Sequence, residues 1–398
     1  MTPLRIVHLI DRLDPAAGGP PIVAARLAAA QARLGCEATL LAYGYRDGRE
    51  RAEGLLKETP SGELVRVEWI AEPSPPERLT GASAARTFAA LADGGVDVLH
   101  AHGMWEFMMP ASARVARRRG IPYVITPHGM LDPYTLSVKP WRKKLVLATT
   151  HRAFLRRAAF VHMLNRDEAD LARPVLHGTP TRVIPNGIFL EELDATPPAG
   201  TFRAAHPELG DDPYVLFLSR LAHKKGLDYL ADAFALLLDR VPGARLVVAG
   251  PDDGQRAPFE AQVARLGVGE RVHVVGPQYG VDKLAALRDA AVFCLPSRQE
   301  GFSIAITEAL ALGLPVVISK ACHFPEVTEA DAGIETDLDA TQVALGLESI
   351  LHDPAAGEAM GRAGAALVRQ RFTWPKVAEQ TLACYRDVLG GTHRERRG

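Results

Sequence analysis

The sequence predicts an α/β protein built from two doubly wound domains. Three features carry that expectation: chain length, an alternation of short β-rich runs with helical patterns, and one aperiodic break near the middle. At 398 residues the chain exceeds a typical single α/β core and suits two. Apolar runs of strand length bounded by turn residues, alternating with amphipathic stretches, imply parallel sheets covered by helices.

Taken in order, residues 5–10 read as a buried strand, 11–20 as a loop and 21–34 as an alanine-rich helix. Pro21 is tolerated in the first turn, and Gly35 is placed to close the end. Further strands are expected at 37–43, 96–101, 123–126, 160–164 and 182–184. Asn165 and Glu168 form a capping pair for a helix beginning near Arg166. The run DATPPAG at 194–200 lacks periodicity and is read as the interdomain linker. The pattern then restarts, with strands expected at 214–219, 245–249, 272–275, 292–295 and 316–319. The end reads as helical from about 341 to 389, with a kink at Trp374-Pro375. The expected domains are 1–196 and 197–373, with the C-terminal helix at about 374–390 packing back on the first. In such folds ligands bind beyond the C-terminal strand ends, so two facing sheets would form a cleft.

Composition narrows the function classes. Lys and Arg total 46 and Asp and Glu 47, a formal charge of −1, so no global field attracts nucleic acid. The four cysteines, Cys36, Cys294, Cys322 and Cys384, show no metal-ligand spacing and suit a reducing compartment. No apolar run approaches the roughly 18–20 residues that span a bilayer. His8, Asp11 and Arg12 interrupt the N-terminal strand pattern, which is not that of a signal peptide. A cytoplasmic protein is expected, with surface association at the inner membrane face left open.

The strongest chemical constellation follows the expected strand at 292–295, in PSRQEGFSIAITEALALGLPVV. Glu300 lies on the loop, Gly301 permits a tight turn, Ser303 is a natural N-cap and Glu308 falls inside the helix. The open N–H groups of Ser303 and Ile304 would welcome a phosphate. Carboxylates beside a diphosphate need neutral partners, and sugar and ribose hydroxyls supply them. Glu300 could equally be a solvated loop charge, and Glu308 an ordinary helix-start acid. In LSRLAHKKGLDYL, Arg220 ends a strand and Lys225 precedes a helix, where cations would neutralise a diphosphate leaving group. Lys224 reads better as a surface residue.

Together these segments resemble the retaining group-1 glycosyltransferases (family four), which have the GT-B fold of two Rossmann-like domains. Glu300 to Glu308 matches the family's E-x7-E motif, and SRLAHKKG its R-x4-K-G phosphate loop. VIPNGI at 183–188, HAHG and ITPHGMLDP match as well, so the resemblance spans nearly the whole chain in motif order. It implies that Arg220 and Lys225 bind the donor pyrophosphate, Glu308 the ribose and Glu300 the sugar hydroxyls. Gly301, Phe302 and Ser303 would give backbone contacts, and His128 would be the histidine near donor sugar and acceptor. Gly18-Gly19 resembles the family's N-terminal glycine loop, where backbone approaches the donor phosphate or acceptor; from the residues alone it could be a plain turn. It is not a G-x-G-x-x-G fingerprint, which removes the main support for a dehydrogenase. His100 and His102 read as structural. One departure stands out: SKACHFPEV keeps the Pro-Glu of the family's Gly-Gly-x-Pro-Glu loop but not its glycines.

The implied activity is transfer of a hexose, with retention, from a nucleotide diphosphate sugar to a glycan or lipid-linked glycan in polysaccharide biosynthesis. Alternatives are a sugar-phosphate-using synthase or phosphorylase of the same fold, and a catalytically silent nucleotide-sugar-binding subunit. No cofactor is expected. The Asp337-Leu338-Asp339 pair is assigned to a helix start rather than to a metal, because basic groups already serve the diphosphate. From Pro133 to Arg166 there is no acid, while Lys139, Arg142, Lys143, Lys144, Arg152, Arg156 and Arg157 accumulate. Trp141, Leu145, Ala148 and Leu155 recur beside them at helical spacing. Two readings stay open for the helix near 139–157: a peripheral contact with anionic lipid, or a helix packed on its sheet with a solvated basic face.

Overall fold

The computed structural model describes residues 3–137 and 140–395. It divides into two compact units, one running to Asn186 and resuming at Trp374, the other Gly187–Thr373.

The first unit holds a parallel sheet of β1 (Arg5–Ile10), β2 (Glu37–Tyr43), β3 (Arg66–Ile70), β4 (Val98–His102), β5 (Tyr123–Thr126), β6 (Phe160–Met163) and β7 (Thr181–Val183). Its order among the described residues is β3-β2-β1-β4-β5-β6-β7. Ile6 to Ile10 are all buried, as expected of a parallel strand covered on both faces. One face packs Val7, Leu9, Leu99 and Ile125 into the unit's larger core. The other sets Ile6, Val98, Val124 and Phe160 against Leu382 and Tyr385 of the Trp374–Glu395 helix. Ala378, Leu382 and Tyr385 are buried at helical spacing, which explains why this helix joins the first unit.

The second unit repeats the plan with β8 (Tyr214–Leu218), β9 (Arg245–Ala249), β10 (Val272–Gly276), β11 (Val292–Leu295), β12 (Val316–Ser319) and β13 (Gly333–Thr336). The order is β10-β9-β8-β11-β12-β13. Chain direction of winding reverses between β1 and β4, and again between β8 and β11. Those are the points at which doubly wound sheets open crevices for ligands.

Several boundaries differ from the sequence reading. The first helix spans Gly19–Arg33, with Pro20 and Pro21 in its opening turn where missing N–H groups cost nothing. Strands β3 and β13, not expected from the sequence, are edge strands with mostly half-buried side chains, so their apolar signal is weak. The Pro/Gly run 194–200 lies inside the second unit, and the chain crosses at Asn186–Gly187. Asp289 holds the run's end there, accepting from the N–H groups of Gly200 (2.7 Å), Phe202 (2.9 Å) and Arg203 (3.2 Å). Lost periodicity marked a surface loop rather than a boundary. The tail is three helices, Ala340–His352, Pro354–Arg371 and Trp374–Glu395, not one kinked run. Asp353 starts the second of them by accepting from Ala356 N–H at 3.0 Å.

The basic segment forms helices Pro140–Val146 and Arg152–Arg156 joined by a wider turn at Leu147–His151. Lys139 lies outside the described residues. Trp141, Leu145 and Ala148 are exposed while Leu155 is buried, so the four do not form one packed stripe.

Candidate active site

Two loops flank the reversal point of the second sheet, one after β8 and one after β11, and they carry the predicted residues. After β8 the backbone makes a single tight turn at His223–Lys225 before the Leu227–Leu238 helix. Gly226 sits between them at φ 71°. A Cβ there would stand 1.8 Å from the carbonyl oxygen of Pro296, so glycine alone lets this loop touch the one after β11. Arg298 ties the loops further, with guanidinium bonds to the His223 carbonyl (2.9 Å) and to Asp228 (2.8 and 2.5 Å).

Lys225 and Glu300 meet at this junction. Lys225 Nζ donates to Glu300 Oε1 at 2.5 Å, and Ser297 Oγ donates to the same oxygen at 2.6 Å. Lys225 is 8 % and Glu300 7 % exposed, so a solvated loop charge does not describe Glu300. Ser303 caps the Ile304–Ala311 helix through Ile306 N–H at 3.4 Å. Glu308 is buried on that helix and accepts from Lys283 Nζ at 2.6 Å. Each expected carboxylate therefore has a cation beside it. Arg220 instead is exposed, paired with Asp253 at 3.0 Å. Lys224 is exposed.

The neighbouring loop explains how glycines can be missing from it. Phe324 stacks edge-on against Phe372 (centroids 4.8 Å apart) and lies 5.7 Å from Phe302, so the aromatic rings fix its course. Cys322 is buried under it, its thiol pushed up to about 12 chiefly by burial. The partly buried Phe302 ring packs against Phe324 and Phe372. Of the Asp-x-Asp pair, Asp339 caps the Ala340–His352 helix and Asp337 pairs with Lys320 at 2.8 Å.

In the first unit, Gly18 and Gly19 follow β1 at the start of the first helix, Gly18 at φ 112°. An added Cβ at Gly19 would meet nothing within 4 Å. His128 follows β5 with φ 52°, half-buried, its imidazole held neutral by burial, with a pKa of about 3. Glu168 fastens this loop, taking N–H groups of Gly129 (2.7 Å) and Leu164 (2.6 Å). Asn165 caps the Arg166–Leu176 helix through Glu168 N–H. The Glu168 carboxylate is therefore diverted from the reciprocal cap to the His128 loop, which sequence spacing did not reveal. His100 and His102 are buried, and His102 Nδ1 lies 3.2 Å from His128 Nε2.

Comparison with known proteins agrees with both halves. Residues 199–366 match the family of glycosyl transferases group 1, and residues 18–187 the glycosyl transferase 4-like domain. The chain is 30% identical over 315 residues to phosphatidyl-myo-inositol mannosyltransferase of Mycobacterium leprae, covering 75% of each. It belongs to the group 1 glycosyltransferases. D-inositol 3-phosphate glycosyltransferase of Segniliparus rotundus is 35% identical over 217 residues, about half of either chain (50% and 48%). Among solved structures, this glycosyltransferase resembles sucrose-phosphate synthase from Thermosynechococcus elongatus, with a TM-score of 0.71, 24% identity and coverage of 98% and 100%. It also resembles Anabaena Alr3699/HepE in complex with UDP-glucose (TM-score 0.73, 20% identity, coverage 98% and 100%). These likenesses establish the GT-B fold.

Proposed function

We propose that this chain is a retaining transferase that moves a hexose from a nucleotide diphosphate sugar to a glycan or lipid-linked glycan in polysaccharide biosynthesis. The observation that carries this reading is the buried Lys225–Glu300 pair beside the capped helix that bears Glu308. Both recorded bonds to Glu300 fall on Oε1, which leaves Oε2 for a sugar hydroxyl. Lys225 keeps further N–H donors for a diphosphate. Arg220 can exchange Asp253 for phosphate cheaply, because exposed ion pairs are worth only about 0–1 kcal/mol. Glu308 would take the ribose, while Gly301, Phe302 and Ser303 offer backbone groups. Gly18, Gly19 and His128 would contribute from the first unit.

Glu300 is held by Lys225 and Ser297, which suits a hydroxyl ligand better than a nucleophile. We therefore favour front-face transfer. The acceptor oxygen bonds to the anomeric carbon as the carbon–phosphate oxygen bond breaks, and the departing oxygen takes the acceptor's proton. Arg220, Lys225 and the helix N-terminus would stabilise the charge left on the diphosphate, with no metal required. A glycosyl–enzyme trapped covalently at Glu300 would overturn this. A synthase using a sugar phosphate stays the second reading, because alpha-maltose-1-phosphate synthase of Mycobacterium tuberculosis is 30% identical over 325 residues.

The test is thermal stabilisation of the purified protein by UDP, GDP and ADP, with and without chelator. Ligand at a hundredfold its dissociation constant should add about 2.7 kcal/mol. One base should win, indifferent to chelator and weakened in Arg220→Ala. No response to any nucleotide would sink the nucleotide-sugar reading.

A further inference from the structure

The proposed transfer uses one histidine, yet four more are buried behind it. His8 on β1 lies opposite His100 on β4, and Ile10 opposite His102, so alternation puts all three histidines on one sheet face. His162 is buried on β6 of the same sheet. Burial holds His8 and His162 down to about 4, and His100 and His102 well below the usual histidine range. All four are neutral imidazoles at neutral pH, each with one donor and one acceptor nitrogen.

Following the bonds gives a direction. Gln31 turns its amide oxygen to His8 Nε2 at 2.8 Å and leaves its own Nε2 buried without a hydrogen-bond partner. In that amide orientation His8 donates from Nε2, and the reversed amide would reverse every bond that follows. His8 Nδ1 is then an acceptor, and His102 Nε2, 2.9 Å away, must donate to it. His102 Nδ1 becomes the acceptor in turn, and His128 Nε2, at 3.2 Å, must donate. A reversal at any single link would set two lone pairs or two N–H groups against each other in a buried space, which the interior penalises. The three bonds therefore point one way together. A metal held by His8, His100 and His102 is the competing use of this cluster. It is disfavoured because both nitrogens of each ring are already engaged, those of His100 by Thr126 Oγ1 and the Tyr385 hydroxyl, both at 2.6 Å.

We propose that Gln31, acting through His8 and His102, fixes His128 in the tautomer that carries its proton on Nε2 and presents Nδ1 as an acceptor. Gln31, His8 and His102 are positioning residues; His128 is the group that would meet a hydroxyl of the donor sugar or acceptor. The opposite tautomer would offer that hydroxyl a donor instead. This inference rests on the transferase reading for its use, but not for its detection.

The experiment is nitrogen NMR on protein labelled with 15N-histidine. In the wild-type chain, His128 should show a protonated Nε2 and an unprotonated Nδ1. Couplings across the hydrogen bonds should link His8 Nδ1 with His102 Nε2 and His102 Nδ1 with His128 Nε2. Gln31→Met keeps the volume and removes the carbonyl; His128 should then become a mixture of tautomers, and kcat for transfer should fall several-fold. A wild-type His128 protonated on Nδ1, missing couplings, or a single unchanged tautomer in Gln31→Met would each overturn the relay. Because the couplings are read in the wild-type protein, the test survives a variant that fails to fold. Unchanged transfer in His128→Ala would remove His128 from the reaction while leaving the tautomer result intact, so the two failures are distinguishable.

Discussion

Lys225 and Glu300 lie 75 positions apart in the chain, yet the two buried side chains pair with each other. Removing one member leaves a buried charge, and breaking such pairs typically costs about 3–5 kcal/mol, whereas removing both can be close to neutral. Lys225→Met should therefore destabilise the second unit by about that much, and the double variant Lys225→Met with Glu300→Gln should recover most of it. Hydrogen exchange of the β8 and β11 amides is the measurement; equal losses in single and double variants would show that the pair does not matter to the fold. Glu300→Ala should, on the proposed reading, cut transfer roughly 10²–10³-fold while nucleotide still stabilises the protein. Loss of nucleotide binding along with turnover would assign Glu300 to binding rather than to the reacting sugar. Spacing along the chain singled out both residues because helix starts and strand ends can be read locally. Their pairing could not be read, since nothing local records which of two neighbouring loops a side chain will reach.

At the scale of elements, the histidine-bearing face of the first sheet makes that unit sensitive to acid. The folded-state pKa values lie below the ordinary 6.5, about 4 for His8 and His162. Below pH 6.5 the unfolded chain binds protons that the folded chain refuses. Their contribution to stability is thus complete above pH 6.5 and is lost as pH falls toward 4, at up to about 1.4 kcal/mol per pH unit for each histidine. Trp69, Trp105, Trp141 and Trp374 all belong to the first unit, so tryptophan fluorescence follows its unfolding selectively. Its midpoint should drop clearly between pH 7 and 5, and a flat profile would contradict neutral buried histidines. The loop at Gly226 makes a second element-level prediction. Gly226→Ala drives a methyl into Pro296 at a left-handed φ, pushing the two loops apart. Nucleotide affinity by calorimetry should weaken at least about tenfold, and an unchanged affinity would show that loop contact is dispensable. The sequence foretold most central strands to within a residue or two because continuous apolar runs mark strands buried on both faces. It missed β3 and β13, whose edge positions leave half-buried, mixed side chains, and it took a capped surface loop at 194–200 for a boundary. The histidine relay was invisible for the same reason as the ion pair. His100 and His102 look like strand residues until their cross-strand register with His8 is known.

For the molecule as a whole, a net charge of −1 conceals a local concentration of positive charge between residues 133 and 166. No helix among the described residues is long and apolar enough to cross a membrane. Trp141 is 65 % and Leu145 59 % exposed on the Pro140–Val146 helix, beside exposed Arg142 and Lys144. Lys143 is partly withdrawn, its ammonium 5.3 Å from the Trp105 ring. Exposed aromatic and aliphatic groups flanked by cations are what an anionic bilayer surface binds, at about 1 kcal/mol for each basic residue near it. If the acceptor is lipid-linked, the full-length protein should float with vesicles containing anionic lipid and not with neutral ones. Arg142→Gln with Lys144→Gln should weaken that binding roughly thirtyfold, the equivalent of about 2 kcal/mol. Trp141→Ala should weaken it without changing its salt dependence, because it removes apolar contact and no charge. Nucleotide-induced stabilisation should be the same in all three proteins, since these residues lie in the first unit and the proposed donor residues Arg220, Lys225, Glu300 and Glu308 in the second. Flotation indifferent to lipid charge would instead make this a solvated basic face, and a soluble glycan would become the acceptor to pursue.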